Sequence, residues 1–211
     1  MGKNKYTTRY FEKYALLSLK HCSELSPSDF VLSESPDLQS KPLDIGIEVT
    51  RAIWAEDVRA SLIEEYFDRV LNGDNSKIWS LYPRLRDLVV IDSVAVHRLE
   101  RSSKRPDFKI HIQPISQSII TKTVKLNKNY RIFSDNALYI FSFNDNISKD
   151  SVLKEIELAD ENTSRLKHKY QYIYINTIDE ILVYDRKTKS ISSYPLSSEI
   201  LSEIQLNAEN I

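Results

Sequence analysis

The sequence predicts an α/β domain, and three observations predict it. An apolar stripe at helical spacing opens the chain, a short strand alternates polar and apolar residues from Asp44 to Thr50, and a helix-then-strand pair runs from Ile115 to Phe143. The length of 211 residues suits one domain carrying a substantial insertion.

Composition narrows the function classes. With 41% hydrophobic residues, twelve tyrosines and seven phenylalanines, the chain has material for a real core. Its formal net charge of −1 gives no global attraction to nucleic acid, so any such binding must come from a local patch. The single cysteine, Cys22, excludes an internal disulfide and a cysteine-based zinc site, and its place predicts packing on the inner face of the first helix. Three glycines leave no phosphate-cradling loop, which argues against nucleotide-driven chemistry. No apolar run approaches a membrane span, and Met1-Gly2-Lys3-Asn4-Lys5 leads into a helix rather than a signal segment. The expectation is a soluble, cytoplasmic protein.

The first helix is read from Tyr10, Phe11, Tyr14, Ala15, Leu16, Leu17 and Leu19, between Thr7 and His21, stopped near Ser26-Pro27. Phe30 to Leu38 reads as extended, since Pro36 biases Ser35 away from helix. Gln39-Ser40-Lys41-Pro42 are turn-formers. From Asp44 to Thr50, Ile45, Ile47 and Val49 line a dry face, and Asp44, Gly46, Glu48 and Thr50 a working face. Two such strands joined by a tight turn bring Asp37 close to Glu48, and paired carboxylates at a sheet edge suit a hard divalent cation.

Val58 to Leu71 repeats at helical spacing and closes at Asn72-Gly73. Ser76 to Arg86 predicts a short helix, Leu88 to Val96 a strand, and Arg98 to Arg105 a charged loop. A second Pro-Asp, at Pro106-Asp107, opens an alternating strand without a following acid and is read as a decoy. Ile115 to Tyr130 predicts a helix carrying Lys122, Lys125 and Lys128, followed by the strand Ala137 to Phe143. A helix from Lys149 to about Lys167, strands at Tyr170 to Asn176 and Glu180 to Tyr184, a hairpin into Ile191 to Tyr194, and a terminal helix from Leu196 to Ala208 complete the chain. The tyrosines of these strands are expected to pack the sheet, with a base-stacking platform as the other reading.

Pro36-Asp37 followed by Glu48-Val49-Thr50 resembles the PD-(D/E)XK nuclease superfamily, with Thr50 where the usual lysine stands. The resemblance covers roughly residues 7 to 50 and 108 to 143. It implies a restriction-endonuclease-like αβββαβ core with a mixed sheet, within residues 1–145 and interrupted by a helical insertion at about 52–107; residues 146–211 lie outside the resemblance and are read as a β-rich α+β extension packed on the core. It further implies Asp37, Glu48 and the backbone of Val49 as ligands to magnesium or manganese, and hydrolysis of a phosphodiester, with DNA as substrate. Threonine hydrogen-bonds a water but brings no positive charge. The lysine of this superfamily can move to a neighbouring element, so Lys122 is the candidate to replace it. Glu34, three residues before Asp37, is the candidate accessory acid, and Glu12 on the first helix is another.

Between Arg101 and Arg131 eight basic residues, including Arg105, Lys122, Lys125 and Lys128, face one acid, Asp107. This is the local patch that the net charge hides, suited to sequence-blind phosphate contacts. The loss of the motif lysine leaves a second reading open, a nuclease-fold scaffold that holds nucleic acid or a protein partner without cutting. A protein-binding component of a phage-defence system is a third. A homodimer is compatible with any of these, and a membrane partner with none.

Overall fold

The computed structural model describes residues 8–52, 114–128, 130–142, 147–177 and 179–209. The elements expected between Val58 and Val96, the Pro106-Asp107 pair and Arg105 lie outside the described residues. The chain divides into two units, and the described residues belong to the one made of Met1–Ala52 and Ile112–Ile211.

Its elements are α1 (Thr8–Ser18), β1 (Val31–Leu32), β2 (Leu38–Ser40), β3 (Ile45–Arg51), α2 (Ile115–Leu126), β4 (Asp135–Phe141), α3 (Lys149–Asn162), β5 (Tyr172–Asn176), β6 (Glu180–Asp185), β7 (Ser190–Pro195) and α4 (Ser198–Glu209). The fold is α/β: seven strands form one mixed sheet in sequence order, with four α-helices among the described residues. β3, β4 and β5 are parallel, and their neighbours on both sides are antiparallel. The C-terminal strands continue the same sheet rather than starting another.

Parallel neighbours need long crossovers, and α2 and α3 supply them. Both helices lie on one face of the sheet, as crossovers of one hand stepping in one direction require. There Ile115, Ile119, Val152 and Ile156 pack with Leu138, Ile140, Ile173 and Ile175. On the other face Tyr10, Tyr14 and Leu19 of the N-terminal segment and Ile204 and Ala208 of α4 pack with Ile47, Val49, Tyr139 and Tyr174. The central strands are therefore covered on both sides, as a parallel sheet requires.

Between α1 and the sheet the fully buried Tyr139 hydroxyl meets Ser18 Oγ at 2.8 Å and accepts from Asn176 Nδ2 at 3.1 Å. The ring stacks on Tyr174. Tyr139, Tyr170, Tyr174 and Tyr184 are buried, so these tyrosines are core rather than a stacking surface. Cys22 is buried just past α1, and burial pushes its thiol up to about 12, so it stays protonated and unreactive.

Three expectations need correction. The turn lies later than Gln39 to Pro42: Leu38 and Ser40 are fully buried and pair with Ile47 and Ile45, and the chain reverses through Lys41 to Asp44. Burial and pairing override the turn preference of the short polar residues. The helix expected to reach Lys167 ends at Asn162, where Thr163 donates both its N–H and its hydroxyl to the Ala159 carbonyl. The working face of β3 is also not open to water, because α2 lies over it and Glu48 is only 2% exposed.

Candidate functional site

The site forms where β2 ends and β3 continues. Ser33 N–H donates to Asp37 O at 2.7 Å, and Gln39 Nε2 donates to Ser33 Oγ, Ser35 O and Pro36 O, closing the loop that precedes β2. Pro36 then packs on Gly46. A Cβ there would lie 2.7 Å from Pro36 Cγ and 2.5 Å from Phe133 Cδ2, so only glycine lets the loop and Phe133 approach the strand. Asp44, at φ 51°, ties the following turn to the start of β4 through hydrogen bonds from Ser134 and Asp135. It serves the turn.

One step beyond the pair Leu38–Ile47, the register brings Asp37 opposite Glu48. Asp37 Oδ2 accepts the Val49 N–H at 2.6 Å. On a strand a residue's N–H and C=O point to the same neighbour, so the Val49 carbonyl faces the gap that β2 leaves beside Asp37.

Glu48 points to the opposite face from Ile47 and Val49, toward α2. Its Oε1 accepts from Lys122 Nζ at 2.5 Å and from the Tyr130 hydroxyl at 2.6 Å. Its Oε2 is buried without a hydrogen-bond partner. Tyr170 donates to the Lys122 carbonyl at 3.2 Å, fixing the turn of α2 that carries the lysine.

Burial pushes the Asp37 carboxyl up to about 7, aided by the charge of Glu48 and by Glu12, and opposed by the Val49 N–H and by Lys122. Glu12, on α1, is itself buried at 7% exposure and paired with Arg9 at 3.5 Å. Burial raises its pKa as well, with Arg9 opposing and Glu48 adding. Three carboxyl groups, from α1, from the loop before β2 and from β3, thus act on one another, with Arg9 set against Glu12 and Lys122 hydrogen-bonded to Glu48. Burial, and then Glu48, push the pKa of the Tyr130 hydroxyl up.

Among the expected site residues, Asp37, Glu48, Val49 and Lys122 come together. Thr50 is half-buried, two residues beyond Glu48 on the same face of β3. Glu34 is exposed in the loop before Pro36 and is not among the charges acting on Asp37. Lys125 and Lys128 are exposed, on and just beyond the last turn of α2. The sequence reading runs α2 on to Tyr130 and gives it no role; the helix ends at Leu126, and Tyr130 lies in the connection that follows.

The donors available are hard oxygens: Asp37, the orphaned Glu48 Oε2 and the Val49 carbonyl. That set fits magnesium or manganese, which bind through one or two carboxylates and keep several waters. Among the described residues no group of three or more histidine, cysteine, aspartate and glutamate side chains stands ready to hold a metal by itself. No helix among the described residues is long and apolar enough to cross a membrane. No family model matches the chain, and no curated protein or solved structure is significantly similar to it.

Proposed function

We propose that this protein is a divalent-metal-dependent nuclease of the PD-(D/E)XK type, hydrolysing phosphodiester bonds in DNA. The observation that carries the reading is that Lys122 is hydrogen-bonded to Glu48 while Asp37 holds the N–H of the next residue, Val49, and feels the charges of Glu48 and Lys122. Asp37 stands in the loop before β2 and Glu48 on β3, and the lysine, absent at Thr50, arrives from α2. The element order α1-β1-β2-β3-α2-β4, with β3 and β4 parallel, supports it, because it is the αβββαβ order that the resemblance implies.

Asp37, Glu48 Oε2 and the Val49 carbonyl would hold magnesium or manganese, which when bound supplies Lewis-acid activation of water and polarises the scissile phosphate. The chain's own residues do the rest. Glu48 and Asp37 set a negative field that favours a cation and disfavours an unaccompanied phosphate. Lys122 offers an ammonium beside the carboxylates, suited to stabilise charge developing on the phosphate. Thr50 has a hydroxyl able to orient a water. Lys125 and Lys128 extend the positive face of α2 for backbone phosphates.

The test is calorimetric titration of manganese into wild type, Asp37→Ala and Glu48→Ala, followed by incubation with plasmid and linear DNA. Binding and cleavage by the wild type, both lost in the variants, are the expected result. Wild-type protein that takes no manganese would overturn the reading. Manganese binding with no cleavage of either DNA would favour the non-cutting scaffold, a reading supported by the Lys122 ammonium already being engaged by Glu48.

A further inference from the structure

We propose that Tyr130 is the positioning residue of the site, holding Glu48 so that a single oxygen, Oε2, is presented to the cation. The proposal rests on the metal-binding reading given above. Glu48 Oε1 accepts two hydrogen bonds, from Lys122 at 2.5 Å and from Tyr130 at 2.6 Å, which occupies both of its lone pairs. Oε2 is left as the free oxygen, and it is buried. The carboxylate is thus set to coordinate through one oxygen rather than two.

The two donors differ in what they do once a cation arrives. The Lys122 ammonium is a charge on a flexible stem, is repelled by a divalent ion, and has a second use at the phosphate. The Tyr130 hydroxyl is a neutral phenol donor, on a side chain with few rotatable bonds. It stays on Oε1 when Lys122 leaves.

The backbone around Tyr130 is built for this. It lies in the connection between α2 and β4, whose Phe133 packs on Gly46, two residues before Glu48. Arg131 lies over the Phe133 ring at 4.7 Å, and Phe133 N–H donates to Asn136 Oδ1 at 3.2 Å. One short connection therefore fixes both the strand at Gly46 and the side chain at Glu48. Groups that orient a metal ligand from behind typically change affinity by about 10–100-fold when removed.

The experiment is manganese titration of wild type and Tyr130→Phe by calorimetry, with the melting temperature of each metal-free protein measured alongside. The expected result is a dissociation constant raised by about tenfold or more in Tyr130→Phe. A variant that loses thermal stability yet binds manganese as tightly as wild type would make Tyr130 a structural latch and overturn the proposal. In that case the metal site itself stands; a wild type that binds no manganese overturns both. Should Tyr130→Phe not fold, 3-fluorotyrosine placed at position 130 alone decides. Its fluorine resonance is expected to move along the magnesium binding isotherm, and a resonance that stays still while magnesium binds refutes the role.

Discussion

Lys122 Nζ lies 2.5 Å from Glu48 Oε1, joining α2 to the middle of β3 across 74 positions of sequence. Both side chains are largely withdrawn from water, at 16% and 3% exposure. Removing one partner of such a pair leaves the other as an uncompensated buried charge. Lys122→Met is therefore expected to cost about 3 kcal/mol in urea unfolding of the metal-free protein. The double variant Glu48→Gln with Lys122→Met is expected to recover much of that loss. A single variant as stable as wild type would mean that the pair contributes nothing to holding α2 on the sheet.

The protonation of Asp37 gives a second prediction. Its carboxyl is pushed up to about 7 in the folded protein, first by burial and then by Glu48, against about 3.9 in an unfolded chain. The folded state binds this proton more tightly, so the stability it contributes is fully present below pH about 4 and is lost as pH rises to about 7. Asp37→Asn is expected to flatten the fall in melting temperature over that window and to stabilise the metal-free protein at pH 8. At the proposed metal site manganese would bind the ionised form, so its stabilisation of wild type is expected to grow as pH rises to about 7. Below that pH, binding releases a proton, which calorimetry in buffers of different ionisation enthalpy detects.

The heart of this site was legible because its signals are local. Alternation from Asp44 to Thr50 gave the strand and its two faces, and Pro36-Asp37 followed by Glu48 carried the pairing that the β2–β3 register then produced. What was not legible depends on contacts far apart in sequence. Nothing near Glu48 says that α2 will cover its face and leave it almost without water. Tyr130 stands where the helical reading still runs, four residues past the helix's actual end at Leu126. Glu34 looked closer than Glu12 because it is closer in sequence. The fold reverses that, since α1 brings Glu12 into the field of Asp37 while the loop turns Glu34 outward.

That reversal is testable. Glu12→Gln removes a buried charge that helps raise Asp37, so the pH midpoint for manganese binding is expected to move downward. Glu34→Gln alters an exposed side chain and is expected to leave midpoint and affinity unchanged. Equal effects from the two substitutions would remove Glu12 from the site.

Gly46 offers a structural test of how the site is held. A methyl group there meets Phe133 Cδ2 at 2.5 Å and Pro36 Cγ at 2.7 Å, inside any normal contact. Gly46→Ala is expected to destabilise the protein by about 1–3 kcal/mol, as overpacked sites do. Because Pro36 precedes Asp37 directly, the shift that relieves the clash is also expected to weaken manganese binding. Urea denaturation and calorimetry on the same sample check both halves. A variant with lowered stability and intact manganese affinity would show that Asp37 is positioned by its bond to Val49 rather than by the proline.

The exposed Lys125 and Lys128, on and just past the last turn of α2, test the proposed hold on DNA. Lys125 and Lys128 follow Lys122 at three-residue steps, where the negative end of the helix dipole also favours cations. If both contact phosphates, each adds about 0.9 to the magnitude of the slope of log affinity against log salt on duplex DNA. Lys125→Ala with Lys128→Ala is then expected to weaken binding alike on unrelated duplexes and to flatten that slope by about 2. Fluorescence anisotropy with Asp37→Asn protein and no added divalent metal measures this. An unchanged slope would place the DNA on another face, and the basic run of α2 would then be a solvated helix surface with no part in holding the substrate.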